Sequence, residues 1–199
     1  MTNFCNPDRC TARQITPYVD ALLSHTFYLL SNSPLPVLEQ LVTSVGCIAK
    51  VLGEGFSPYY APFMPIATSI VTTYPREEKY ILVRGKAMEA IALIGQSVGK
   101  ERFANDAHAL LHIVLPAIAT ATMESVESQY LMQSCARIGN VLKEDFLPYM
   151  PHLLPLLMKM ATLEPEVELK DVMGPVRTYL NFFTQILKFN LFIFRTKEI

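Results

Sequence analysis

Residues 81–103 read ILVRGKAMEAIALIGQSVGKERF, with apolar residues recurring at three- and four-residue intervals, and the stretch is one helix followed by a turn. The chain repeats it. Residues 35–56 (LPVLEQLVTSVGCIAKVLGEGF) and 128–146 (SQYLMQSCARIGNVLKEDF) fall on this template when Gly46, Gly95 and Gly139 are superposed. The phenylalanines that close the copies, Phe56, Phe103 and Phe146, are 47 and 43 residues apart.

A period of roughly 40 to 47 residues built of two helices marks a HEAT or armadillo repeat. The remaining segments supply the partner helices. Residues 15–32 (ITPYVDALLSHTFYLLSN) are helical by periodicity, with Pro17 in the first turn, where its missing N–H costs little. Pro58 suits the start of a helix over 58–74, whereas Pro62 and Pro65 are expected to kink it or delay its regular part. Pro148, Pro151 and Pro155 repeat that arrangement over 148–161, and Phe56-Ser57-Pro58-Tyr59 matches Phe146-Leu147-Pro148-Tyr149. Between them, residues 104–121 open on Asn105 and Asp106 as helix-start signals. The expected fold class is all-α: a right-handed HEAT-repeat (armadillo-type) solenoid fragment of antiparallel helix pairs. Its expected parts are a loop over 1–14, pairs over 15–52, 58–99 and 104–143, a partial pair over 148–171, and an atypical apolar tail over 172–199. Each pair has an apolar face too wide to bury alone, so successive pairs must stack.

The second (B) helix of each pair carries two stripes. Leu38, Val42, Val45 and Ala49, then Ala87, Ile91, Ile94 and Val98, then Leu131, Cys135, Ile138 and Leu142 share one apolar helical face and form the expected core. A second, mostly polar stripe holds Gln40, Ser44 and Cys47, then Glu89, Leu93 and Gln96, then Gln133, Arg137 and Asn140. Stacked repeats would align it as a ladder, and amide and carboxylate groups in a row can hold an extended or basic peptide. Plain solvation of an outward helix face would give the same pattern.

Composition narrows the function classes. With 17 basic and 18 acidic residues the chain has no global field to draw nucleic acid or an anionic membrane, so neither is an expected partner. Cys47 and Cys135 fall inside apolar helical patterns and read as core thiols; Cys5 and Cys10, with no histidine nearby, lack the ligand count for zinc. The N-terminus has no apolar signal region, and an intracellular protein is expected. Residues 179–194 come nearest to a membrane run, but Asn181, Gln185, Lys188 and Asn190 interrupt a stretch shorter than the ~20 apolar residues a span needs.

Catalysis needs converging titratable groups, and His25, His108, His112 and His152 do not supply them. His108 and His112 stand four apart on one helix, but without a third ligand at metal spacing the pair is a weak signal. Gly95-Gln96-Ser97-Val98-Gly99 follows a helix and not a strand, which removes a phosphate-loop reading. No enzyme activity, cofactor or metal is expected.

The string LVRGKAMEAIALIGQSVGKERFANDA, preceded by FSPYYAPFMP and followed after one helix by SCARIGNVLKEDFLPYMPHLLPLLMKMATLEPEVEL, resembles the central HEAT repeats of the importin-beta (karyopherin) family; LEQLVTSVGCIAKVLGEGF extends the likeness upstream. The resemblance covers about residues 15–170. It implies a nuclear import receptor that moves between cytoplasm and nucleus through the nuclear pore. Such a receptor binds cargo proteins with basic localisation signals on a concave face lined by B helices, contacts nucleoporins with phenylalanine-glycine repeats, and in full-length form binds Ran GTPase. By face alone, it makes Gln40, Ser44, Glu89, Gln96, Gln133, Arg137 and Asn140 cargo-side candidates. Where such relatives carry an acidic insertion in the third pair, this chain has only Met123-Glu124-Ser125-Val126-Glu127. Residues 172–199 look unlike the family, as a truncation artefact would, and uncapped end repeats would favour aggregation. A HEAT scaffold subunit of another complex is the alternative reading.

Overall fold

The computed structural model describes residues 11–120 and 126–161, with side chains described for 11–116 and 126–155. Among the described residues every regular element is helical: α1 (Ala12–Leu30), α2 (Leu35–Leu52), α3 (Ser57–Thr73), α4 (Glu78–Val98), α5 (Lys100–Thr120), α6 (Val126–Leu142) and α7 (Met150–Ala161), with 3-10 turns at Gly53–Phe56 and Lys143–Tyr149. Two compact units divide the chain, Met1–Met150 and Pro151–Ile199. The first holds α1 to α6, paired as α1/α2, α3/α4 and α5/α6, and its broadest contacts join the B helices α2, α4 and α6 side by side. These are the antiparallel pairs of an all-helical HEAT array. The expected tail over 172–199 and its apolar run, together with Cys5 and Cys10, lie outside the described residues. Leu35–Thr73 is apolar enough in composition to cross a membrane, but the turn at Gly53–Phe56 splits it into helices of two successive pairs.

Helix ends depart from the sequence reading for identifiable reasons. α1 begins at Ala12, inside the expected loop, because Thr11-Ala12-Arg13-Gln14 forms a capping box in which the Thr11 N–H donates to Gln14 Oε1 at 2.9 Å. α3 runs continuously through Pro62 and Pro65, both on its exposed side. α5 starts at Lys100, so Asn105 and Asp106 lie inside the helix instead of opening it. The cause is a one-residue turn at Gly99, whose φ of 82° lets the chain reverse while its N–H donates to the Gly95 carbonyl at 3.0 Å.

These turns set the register of the repeats. Gly53 (φ 56°), Gly99 (φ 82°) and Lys143 (φ 54°) directly follow α2, α4 and α6, and are the described residues with positive φ. Counting back from them, the partner of Gly95 and Gly139 in the first copy is Ala49, whose carbonyl accepts the Gly53 N–H just as that of Gly95 accepts from Gly99. Superposing Gly46 on Gly95 is therefore three residues out. Gly46 serves a different contact: a Cβ there would lie 3.0 Å from Ala90 Cα, so its hydrogen lets α2 approach α4. Gly95 and Gly139 instead receive the closing phenylalanines, with a Cβ falling 2.3 Å from the Phe103 ring and 3.1 Å from the Phe146 ring.

The core stripe survives the slip, because a shift of three residues rotates a helix face by only about 60°. Its twelve residues are buried except Val98, which is half-buried, and they enclose Phe56, Phe63, Phe103 and Met88 among the largest fully buried side chains. Cys135 belongs to this core, and burial pushes its thiol up to about 12. Cys47 is half-buried on the flank of α2, so it is not the core thiol expected. A buried ion pair ties α4 to α6: Arg84 Nη2 lies 3.3 Å from Glu127 Oε1, and burial lowers the Arg84 pKa although Glu127 opposes that shift.

The first (A) helices are joined by tyrosines. Tyr59 on α3 donates to Asp20 on α1, Tyr60 on α3 donates to Asp106 on α5, and the Tyr149 hydroxyl lies 2.7 Å from His108 Nδ1 on α5. The matched Phe-x-Pro-Tyr strings thus become one device used twice. The phenylalanine is buried under its own repeat while the tyrosine reaches back to the preceding A helix.

Candidate functional site

The B helices expose one flank along which the polar stripe lies. Gln40, Gln96 and Asn140 are exposed, and Ser44, Glu89, Gln133 and Arg137 are half-buried. Between repeats the structure joins two of these seven: Arg137 Nη2 on α6 lies 3.1 Å from Glu89 Oε1 on α4, with each side chain 26% exposed. Ser44 turns its hydroxyl onto the Gln40 carbonyl of its own helix at 2.7 Å, which occupies its donor. Glu89, the one carboxylate among the seven, is therefore paired within the chain.

Register explains what the sequence row missed. Counted from the turn residues Gly53, Gly99 and Lys143, Thr43 holds the place of Glu89 and Gln133, Lys50 that of Gln96 and Asn140, and Lys86 and Tyr130 that of Gln40. Of these, Thr43, Lys86 and Tyr130 carry lateral contacts. Lys86 Nζ donates to Thr43 Oγ1 at 3.3 Å, from α4 to α2, while Thr43 donates to the Glu39 carbonyl of its own helix at 2.7 Å. Gly85 has no side chain because the Tyr130 ring fills that space, where a Cβ would lie 2.5 Å from ring carbon Cδ2. Aligning the first two copies on the glycines that end their helices, Gly53 and Gly99, instead of on Gly46 and Gly95, brings Thr43 and Lys50 into the row and sets Lys86 opposite Gln40.

Electrostatics concentrate at this crossing of three helices. Burial, then the nearby carboxylates of Glu89 and Glu39, raise the Tyr130 phenol above its ordinary value. Two carboxylates from adjacent repeats therefore act on one phenol, and Lys50, Lys86 and Arg137 are cations of the same flank. Arg137 Nη1 is buried without a hydrogen-bond partner. Such a flank can exchange ion pairs and hydrogen bonds with a polar chain laid across it; it does not present an acid–base pair converging on a pocket.

The histidine pair takes a structural place. His108 meets Tyr149 through Nδ1, and the His112 ring stands edge-on to the same tyrosine at 5.7 Å between centroids. Among the described residues, no group of three His, Cys, Asp or Glu side chains could hold a metal ion.

Residues 6–173 match the family model described as Importin subunit beta-1-like, TPR repeats. Importin subunit beta-3 of Saccharomyces cerevisiae is 32% identical over 157 residues, covering 78% of this chain and 14% of that protein. A probable importin-5 homolog of Dictyostelium discoideum is 26% identical over 151 residues, covering 76% of this chain and again 14% of the relative. The chain thus spans about one seventh of the length of these relatives. Among solved structures, Kap121p bound to Pho4p matches with a TM-score of 0.71 and 30% identity over 83% of this chain and 15% of that one. Kap121p bound to Nup53p matches with a TM-score of 0.71 and 29% identity over 84% of this chain and 15% of that one. With its helix pairs, their stacking and most of its length matched, the chain belongs to the importin-beta family.

Proposed function

We propose that the chain is a segment of a nuclear import receptor, and that the B-helix flank binds extended, basic segments of cargo proteins. The observation that carries this reading is family membership over residues 6–173, combined with a mostly polar flank across α2, α4 and α6. Side-chain amides such as Gln133 and Asn140 can donate to and accept from the backbone of an extended peptide, and Glu39 and Glu89 can hold its Lys or Arg side chains. Affinity would be spread over repeats. The complexes of Kap121p with Pho4p and Nup53p support a surface that takes other proteins, cargo and nucleoporins alike. Ran GTPase engages the full-length receptor, which shuttles between cytoplasm and nucleus. The mechanism is non-covalent recognition without a cofactor.

The test is fluorescence anisotropy of a labelled extended peptide bearing spaced lysines, titrated with the full chain. A matched peptide with glutamine at each lysine serves as control. Saturable binding that needs the lysines and weakens with salt is expected. Equal affinity for the two peptides would overturn the reading.

A further inference from the structure

We propose that Arg137 is a built-in competitor for the cargo cation: it occupies Glu89 in the free protein and must swing away before a ligand Lys or Arg can pair there. The inference rests on the basic-peptide reading of the flank and assigns Arg137 a specificity role within it.

Arg137 makes an incomplete pair. Its Nη2 reaches Glu89 Oε1 at 3.1 Å, while its Nη1 is buried with no acceptor. A guanidinium holds a carboxylate best through a two-pronged fork, in which both terminal nitrogens find oxygens. Here one prong is unsatisfied, and a buried N–H without a partner costs free energy that hydration would recover. Releasing Arg137 to solvent therefore restores water to the orphaned nitrogen, which offsets part of the cost of breaking the pair. The half-buried position of both side chains, each 26% exposed, lets an incoming cation reach the carboxylate and lets the guanidinium leave.

The surroundings favour a ligand cation once Arg137 has moved. Glu89 would then be left uncompensated beside Tyr130, on the side that also senses Glu39. Lys86 is engaged with Thr43 on α2. A ligand cation brings its own charge to the position the guanidinium leaves, and the Tyr130 ring offers a surface for its aliphatic stem. Competition of this kind lowers apparent affinity by the fraction of protein in which the site is free. It also rejects ligands that have no cation to offer, because they cannot displace the internal one.

The experiment measures binding of the spaced-lysine peptide to the full chain and to Glu89→Gln, Arg137→Met, Arg137→Lys and the double variant, with circular dichroism melts as a fold check. Glu89→Gln is expected to weaken binding about fivefold to tenfold, and Arg137→Met to tighten it about threefold to tenfold. Arg137→Lys, a cation without the fork, should tighten it by less, and Arg137→Met should gain nothing once Glu89 is glutamine. If Arg137→Met fails to fold, the direction of the Arg137→Lys change decides. Unchanged binding in Glu89→Gln overturns the binding reading and the competitor with it. Weakened binding in Glu89→Gln, with wild-type affinity in the Arg137 variants, overturns the competitor alone.

Discussion

The Tyr149 hydroxyl lies 2.7 Å from His108 Nδ1, the same reach toward a preceding A helix by which Tyr59 meets Asp20. Both tyrosines stand three residues after a buried phenylalanine and directly after a proline, with ring centroids 5.7 Å (Phe56–Tyr59) and 5.9 Å (Phe146–Tyr149) apart. A short string thus fixes two things at once. The phenylalanine closes a repeat, and the tyrosine sets the spacing to its neighbour. Burial separates the two copies, since Tyr149 is 8% exposed whereas the Tyr59–Asp20 bond lies in solvent.

Removing each hydroxyl should expose that difference. Tyr149→Phe keeps the ring and leaves His108 without its partner in a part-buried site, at an expected cost of about 1 kcal/mol. Tyr59→Phe loses a bond that water can replace, and should cost less than about 0.5 kcal/mol. Urea denaturation of both variants, with the slope checked for constancy, measures the gap. Equal costs would mean that the inter-repeat tyrosine bond is indifferent to burial.

A second expectation concerns the turns. Gly99 has φ 82° and ψ 172°, a region essentially closed to side chains, and a Cβ there would meet nothing within 4 Å. Gly99→Ala should therefore destabilise through the backbone alone, by about 1–3 kcal/mol. Lys143 fills the matching turn with φ 54°, so Lys143→Gly relieves a left-handed residue while loosening the unfolded chain, for a net gain of up to about 1 kcal/mol. Opposite shifts in the urea midpoint are the expected result. Shifts of the same sign would refute the equivalence of the two turns.

Much of this fold is legible because helices announce themselves twice, by apolar spacing and by what stops them. The pairing of helices and the core stripe, from Leu38 to Leu142, follow from period and amphipathicity, and a three-residue slip hardly moves a helical face. That tolerance also hides the error. Gly46 looks like Gly95 in sequence, yet one admits the Ala90 backbone and the other the Phe103 ring, and only the turn geometry tells them apart. The start of α1 is legible in Thr11-x-x-Gln14, a capping signal ahead of the apolar period that begins at Ile15. The Glu89–Arg137 pair lies at another level: it joins residues a full repeat apart, and depends on how far α6 is staggered along α4, a quantity set by packing of Tyr130 into the Gly85 gap. No local pattern carries that stagger.

The buried thiol makes stability fall with alkali. Cys135 is fully buried, and its thiol is pushed from 9.0 up to about 12 by desolvation alone. Between those values the unfolded chain loses this proton while the folded chain keeps it. The native state therefore binds more protons in that window, and stability decreases as pH rises through it. Tyr60 and Tyr130, whose phenols are also raised chiefly by burial, act in the same direction once their unfolded counterparts ionise near 10.0. Urea midpoints should be flat up to about pH 8.5 and decline above it. Cys135→Ala should lose stability to its missing sulfur at neutral pH yet decline less steeply as the thiol range is entered, which separates the thiol from the phenols. Alkylation gives an independent reading: at pH 8 iodoacetamide should label Cys135 only when the chain is unfolded, because the reagent needs an exposed thiolate. Rapid labelling of Cys135 in the folded chain would place it outside the core and remove the basis for the alkaline decline.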